Sequence, residues 1–380
     1  EARNIILGIC RDTNARTVTK GKSMITEEIG LNAFLEEHSV APVETDLGEY
    51  IIQLRGEHPS HIIAPAVHLN KEQVEGDFRR VHTHLEEARD LSEPAALLSE
   101  ARQVLRQKYF EAKVGITGAN FLIAETGSSV IVTNEGNGDL TQILPRVHIV
   151  LATLEKVIPT LEDMSTVLRL LARSATGQEF SAYTTLSTGP KRPSDLDGPD
   201  QFHVILLDNG RSNILNSEFR EALRCIKCGA CMNHCPVYGS IGGHAYGWVY
   251  PGPIGAVLTP HLVGLEEAHH LPNASTFCGR CEAVCPMRIP LPGLMRRWRE
   301  REFQARLQLP RHRHGLALWS WFARHPAYYR IMSGLARAML GVLGGRKGHI
   351  CSLPLGQAWT ASRDMPAPEG GSFHGKWRRR

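Results

Sequence analysis

Charge of one sign is scarce in this chain: 43 Lys and Arg stand against 39 Asp and Glu in 380 residues, a formal excess of +4. That excess is too small to argue for nucleic acid as a partner. The basic residues gather late, at 296–299, 311–314 and 378–380. Such runs read as solvated helix faces or tails, with docking to an acidic partner or an anionic membrane surface as the functional alternative. A long apolar run is missing too. Residues 316–343 hold Trp319, Trp321, Phe322, Tyr328 and Tyr329, but Arg324, His325, Arg330 and Arg337 interrupt them. This excludes a spanning helix and leaves at most peripheral membrane contact. No flavin or nicotinamide motif is recognisable, so an electron carrier with this sequence needs a donor and an acceptor from outside. No signal peptide is expected; glutamate, not methionine, opens the chain inside a helical pattern, and the natural protein is expected to begin further upstream.

What is present is a concentration of cysteine. Seven of the nine fall into two groups, Cys225, Cys228, Cys231 and Cys235 followed by Pro236, and Cys278, Cys281 and Cys285 followed by Pro286. The first group is the full C-x2-C-x2-C-x3-C-P run of bacterial two-cluster ferredoxins, whose last cysteine ligates the other cluster. The second is the same run with Ser275 where its first cysteine would stand. By that rule Cys225, Cys228, Cys231 and Cys285 hold one iron–sulfur cluster, and Cys235, Cys278 and Cys281 hold the other. Zinc fits poorly, because a structural zinc site takes pairs of cysteines closing one tetrahedron. Disulfides fit worse in a chain of this length with clustered cysteines and no leader expected. Cys10 and Cys351 stand apart and read as small buried hydrophobes.

Around the cysteines the chain reads as a string of domains. Residues 1–212 alternate short β-rich runs with helical patterns, as an α/β domain does. Strands are expected at residues 17–20, 61–66, 147–152 and 202–207, and a hairpin or bent pair at 121–124 and 130–133. Helices are expected at 26–36, at 95–110 and from a Thr160 cap onward, where Leu161, Met164, Leu168 and Leu171 repeat on one face. Residues 189–200 read as a loop. Residues 213–307 form a helical ferredoxin-like region, entered through a helix at 218–223 capped by Ser217. A helical stretch lies near 262–268, and a basic helix runs to Arg306. Residues 308–380 are a helical segment ending in an irregular arm from about 354.

Four further segments make the chain recognisable: residues 20–30 (KGKSMITEEIG), 118–127 (GANFLIAETG), 133–137 (TNEGN) and 242–253 (GGHAYGWVYPGP). With the two cysteine runs they resemble the lactate utilization protein B family, the iron–sulfur subunit of a bacterial three-component L-lactate oxidation system. The resemblance covers nearly the whole chain, with an N-terminal part of the family missing. It implies an N-terminal lactate-utilization domain similar in fold to the ribose-phosphate isomerase and CoA-transferase group. It also implies a cytoplasmic protein whose partners are a cysteine-rich subunit and a smaller subunit related to its own first domain. The competing reading is an isomerase- or transferase-type enzyme with a structural or regulatory cluster domain.

The first domain offers fewer chemical clues. Lys20, Lys22 and Ser23 sit where a strand gives way to a helix and form a candidate site for a carboxylate or phosphate, against the plainer reading of a basic turn. Glu125 and the loop at 134–137 are candidates to face the same cleft, with Glu125 as a general acid or base; no catalytic residue is assigned. For the second cluster, Ser275, His234, His244, solvent or Cys351 are candidate fourth ligands. A labile fourth iron is the expectation.

Overall fold

A computed structural model describes residues 1–354 and 356–377. Its first part carries nine strands: β1 (Thr17–Lys20), β2 (Ala41–Glu44), β3 (Val114–Thr117), β4 (Phe121–Ile123), β5 (Ser128–Thr133), β6 (Val147–Thr153), β7 (Val157–Ile158), β8 (Tyr183–Ser187) and β9 (Gln201–Leu207). Five make a parallel sheet in the order β2-β1-β3-β6-β9. Parallel strands are buried on both faces, so they read as continuous apolar runs, and every residue of β6 is buried. One face packs Val18, Ile116, Ile149 and Leu151 against Ile6, Leu7 and Cys10 of the helix Ala2–Asp12, with Leu31 and Leu35 of Leu31–Glu37. Cys10 is fully buried, as expected of a small hydrophobe. Gly115 in β3 is required: a Cβ there would lie 2.0 Å from the Thr141 carbonyl of the helix Asn137–Ile143.

A second sheet, β7-β4-β5-β8, is built on the expected hairpin. β4 and β5 pair antiparallel, and Gly127 turns between them at φ +68°. The helix Leu161–Ala175 covers this sheet, and its Thr160 and Asp163 form a reciprocal capping box. Residues 189–200 are loop.

Several expectations need correcting. Residues 61–66 are not a strand. The amides of Ile63 and Ala64 both donate to His61 Nδ1 at 3.0 Å, and the Ser60 amide and hydroxyl both donate to the Pro65 carbonyl, which curls the segment on itself. The helix expected at 26–36 is two, Met24–Glu28 and Leu31–Glu37, broken where Gly30 takes φ +59°. The helix expected after Ser217 is a 3-10 turn, Arg220–Arg224, with Ser217 Oγ accepting from the Phe219 amide. The stretch near 262–268 divides into Gly252–Leu262 and Leu265–Ala268. The basic helix is Leu291–Gln304, stopping short of Arg306, whose φ is +60°.

Residues 1–302 make one compact unit and Phe303–Arg380 another. Within the first, the cysteine region packs directly on the α/β part. Met24 and Ile62 join a core with Phe219, Tyr250, Ile254 and Trp298, while Phe121, Val130 and Leu171 join one with Ile226, Cys228 and Ala230. The second unit has the helices Pro310–Arg324 and Pro326–Gly344 and a small antiparallel pair, β10 (His349–Ile350) with β11 (Met365–Pro366). Among the described residues no helix is long and apolar enough to cross a membrane. Cys351 is exposed, beside His349 and Asp364, and so is not the buried hydrophobe expected. The basic tail at 378–380 lies outside the described residues.

Candidate iron–sulfur centres and an adjoining cavity

Each cysteine run folds the same way because each carries the same turn chemistry. Lys227 and Phe277 take left-handed φ values of +60° and +55°, and Gly229 and Gly279 follow at +74° and +79°. Four-residue helices, Ala230–Asn233 and Arg280–Ala283, come next. This path turns the three spaced positions of a run inward on one centre. Cys235 then caps the helix Pro236–Ile241, its Sγ accepting from the Tyr238 amide at 3.5 Å.

The result is two cages. Cys225, Cys228, Cys231 and Cys285 line one cavity, walled by Ile62, Ile226, Ile254, Met287, Ile289 and Leu291. Cys235, Cys278 and Cys281 line another, together with Ser275. The last cysteine of each run thus sits in the cage of the other. Backbone amides point at the sulfurs: Lys227 N donates to Cys225 Sγ at 3.4 Å, and Ile289 N to Cys285 Sγ at 3.5 Å. Burial, then the charges of Cys225 and Cys285, push the Cys228 thiol up to about 11. Burial does the same for Cys281, also to about 11. Cys278 is exposed, and the Arg280 amide and Thr276 hydroxyl hold its thiol below the ordinary value. The Cys228, Cys231 and Cys281 thiols, which burial keeps from ionising alone, and the N–H groups already aimed at sulfur suit a polycationic iron–sulfur core that supplies the missing positive charge. The donor sets therefore fit that group.

The second cage is held by Arg299, which donates to the Pro272 carbonyl at 2.9 Å and the Ser275 carbonyl at 3.1 Å. Its guanidinium lies 4.1 Å from the Phe277 ring centre. Ser275 Oγ accepts from the Phe277 amide at 3.1 Å. Neither His234 nor His244 lines this cage; His244 donates to the His58 carbonyl at 2.7 Å and stacks edge-on with His68.

The α/β part meets the cages through a buried polar network. Glu28 accepts from Arg211 at 2.7 and 2.8 Å, from Tyr250 Oη at 2.7 Å and from Asn209 at 2.6 Å. Burial raises the Glu28 carboxyl, but Arg211, Asn209 and Tyr250 outweigh it and hold the group below its ordinary value. Tyr250 in turn lies under Lys227, whose ammonium is 4.2 Å from the ring centre. His61 donates to Asn233 Oδ1 at 2.9 Å, and Tyr238 Oη donates to the Ser60 carbonyl at 2.8 Å. The curled segment at 60–63 is thus the seat of the cysteine region.

Of the candidate anion residues, Lys20 is taken out of play. The parallel register sets it opposite Glu44, and its ammonium pairs with Glu44 at 2.7 Å and Glu27 at 3.0 Å. Lys22 and Ser23 line a cavity of about 290 Å³ at the carboxyl ends of β1 and β3, shared with Asn134, Glu135, Lys156 and Lys227. Glu125 is elsewhere: exposed, it caps the helix Leu161–Ala175 by accepting from the Leu161 amide at 3.2 Å. Lys156, Lys227 and Arg299 carry no signal a motif search would raise. Each is one basic residue whose importance comes from what folds beside it.

Comparison with known proteins agrees with this architecture. Residues 1–207 match the LUD domain, residues 221–289 a 4Fe-4S dicluster domain and residues 311–380 the C-terminal domain of lactate utilisation protein B. A LUD domain followed by an iron–sulfur dicluster module is the class of protein these features define. Lactate utilization protein B of Geobacillus sp. (strain WCH70) is 44% identical over 384 residues, covering 98% of this chain and 78% of its own length. An uncharacterized electron transport protein, YkgF, of Escherichia coli (strain K12) is 41% identical over 377 residues with the same coverage. The chain belongs to the lactate utilization protein B family. A crystal structure of a DUF162 family protein from Deinococcus radiodurans aligns with 18% identity and a TM-score of 0.22, over 42% of this chain and 92% of that one.

Proposed function

We propose that this chain is the iron–sulfur electron-transfer subunit of a multi-component system that oxidises L-lactate to pyruvate and supports growth on lactate. The observation that carries the reading is the pair of cysteine cages, each completed by the Cys-Pro of the other run, in a chain of this family. In this reading Cys225, Cys228, Cys231 and Cys285 hold one [4Fe-4S] cluster. Cys235, Cys278 and Cys281 hold the second, whose fourth iron is labile because Ser275 replaces a thiolate. Bound clusters supply reversible one-electron transfer. The protein's own part is to fix the sulfurs, to donate amide N–H groups to them and to shield them with apolar walls, which together set the potentials.

Oxidising one lactate releases two electrons and two protons, and the chain has no recognisable organic redox cofactor motif to take them as a pair. The proposed partners are therefore a cysteine-rich lactate utilization subunit and a smaller LUD-domain subunit, with an electron acceptor beyond them, in the cytoplasm. We divide the chain into a LUD domain at 1–212, similar to the ribose-phosphate isomerase and CoA-transferase group, a dicluster domain at 213–307 and a C-terminal helical segment at 308–380. Anaerobically purified protein should contain iron and acid-labile sulfide. L-Lactate should bleach its visible absorption when the partners are added and leave it unchanged without them. Zinc in place of iron, or rapid bleaching of this chain alone, contradicts the reading.

A further inference from the structure

The cavity beside the first cage is used by nothing described so far. It opens at the carboxyl ends of neighbouring parallel strands, where Gly21 follows β1 and Thr117 and Gly118 end β3. Ligands of open α/β sheets collect at such ends. Its lining brings three ammonium groups, Lys22, Lys156 and Lys227, against two carboxylates, Asp46 and Glu135.

Two of the polar groups in it have no protein partner to explain them. Ser23 is 7% exposed, and its buried Oγ makes no hydrogen bond among the described residues. Gly118 lets that hydroxyl sit where it does, since a Cβ there would be 2.8 Å from it. Lys156 is 6% exposed and forms no ion pair or hydrogen bond among the described residues, its nearest aromatic contact being the Phe121 ring at 5.8 Å. Burial, then the nearby Lys227, lower its ammonium to about 8 against the opposing charges of Cys225 and Glu155. Glu155 and Cys225 act on it only through space, and a buried lysine without a direct partner is costly unless a negative charge comes into contact with it.

We infer that this cavity binds a small organic carboxylate and that the bound charge is felt by the first cage through Lys227. The lining sets three ammonium groups against two carboxylates, with Glu155 acting on Lys156 and Lys227 from outside it, and so slight a positive excess suits a monoanion better than a phosphate of nearly double charge. Met24, Ile131 and Leu171 give the carbon skeleton an apolar wall. A volume near 290 Å³ suits a small metabolite. Lys227 stands between Cys225 and Cys228 and lines both cavities, as Ile62 does, so the two sites share a wall. An anion placed there disfavours adding an electron to the first cage. The inference rests on the electron-transfer reading, because it gives the α/β domain the task of sensing or presenting the acid whose electrons the cages carry.

The test uses the full chain loaded anaerobically with iron and sulfide. Calorimetry with L-lactate, pyruvate and inorganic phosphate measures binding, and a redox titration followed by electron paramagnetic resonance reads each cluster. Lactate or pyruvate should bind and move the midpoint of the first cluster to more negative potential while leaving the second in place. Lys156→Gln should weaken that binding roughly tenfold or more with iron content unchanged. Ser23→Val, which fills the cavity from its other side, should do the same and covers the case in which Lys156→Gln fails to fold. Binding of phosphate alone, no binding of either acid, or wild-type affinity in the variants overturns the inference. Such results beside normal partner-dependent reduction by lactate leave the relay reading standing; absence of iron or of that reduction sinks the relay itself.

Discussion

At the first cage the Lys227 amide donates to Cys225 Sγ at 3.4 Å; at the second the Phe277 amide donates to Ser275 Oγ at 3.1 Å. The backbone is the same in both, with matching left-handed residues and matching short helices. The side-chain atom at the first position differs, sulfur in one and hydroxyl oxygen in the other. The surroundings differ too: Cys228 is buried among isoleucines, whereas Cys278 is exposed. The turn that positions a ligand is thus separable from the ligand it positions. On the proposed reading, the second cage keeps the geometry of the first with one thiolate fewer and with Cys278 open to solvent.

The largest effect that sharpens this contrast comes from Cys285→Ala. Although it lies in the second run, it should abolish the first cluster and remove about half of the iron, measured by iron content and electron paramagnetic resonance. Loss of the second cluster alone would break the crossed assignment. Arg299→Ala comes next, because its contacts to Pro272, Ser275 and Phe277 hold only the second cage. It should speed loss of the second cluster in air and leave the first unaffected; equal loss of both would show that the cages are not independent.

Tyr250→Phe acts on the first side, removing a buried hydrogen bond to Glu28. Chemical denaturation should show a loss of about 1–3 kcal/mol. The same network has an acid signature. Glu28 is held below its ordinary 4.5, so its stabilisation is complete above that pH and is lost as pH falls through the lower folded value. Tyr250→Phe and wild type should therefore converge in stability as the pH falls through that lowered value. A constant gap down to full acid unfolding would show that Glu28 is not the partner that matters. The smallest effect belongs to Cys10→Ser, buried in the first domain away from both cages. It should cost some stability but no iron.

Most of the cage chemistry was legible because it is local: spacing and turn residues within a dozen positions decide where a run points its sulfurs. β6 and β9 were legible as largely apolar runs and β1 as a short run of β-branched residues, Thr17, Val18 and Thr19, and Thr160 with Asp163 announced its helix. Residues 61–66 misled because Ile62 and Ile63 look strand-like, while the decisive hydrogen bonds come from His61 and Ser60 folding back on the segment. Lys20 misled for a long-range reason: only the register against β2 reveals that Glu44 neutralises it. The cavity was half legible. Lys22 and Ser23 announce a basic turn, but Lys156 and Lys227 reach it from elements more than a hundred residues away, and no motif links them.

The inequality of the two cages is tested most directly by electron paramagnetic resonance of the protein after mild oxidation. The account predicts a three-iron signal from the second cage that vanishes when ferrous iron and reductant are added, and its absence in Ser275→Cys. Two equally stable four-iron clusters in the unaltered protein, with no three-iron signal after oxidation, would contradict it.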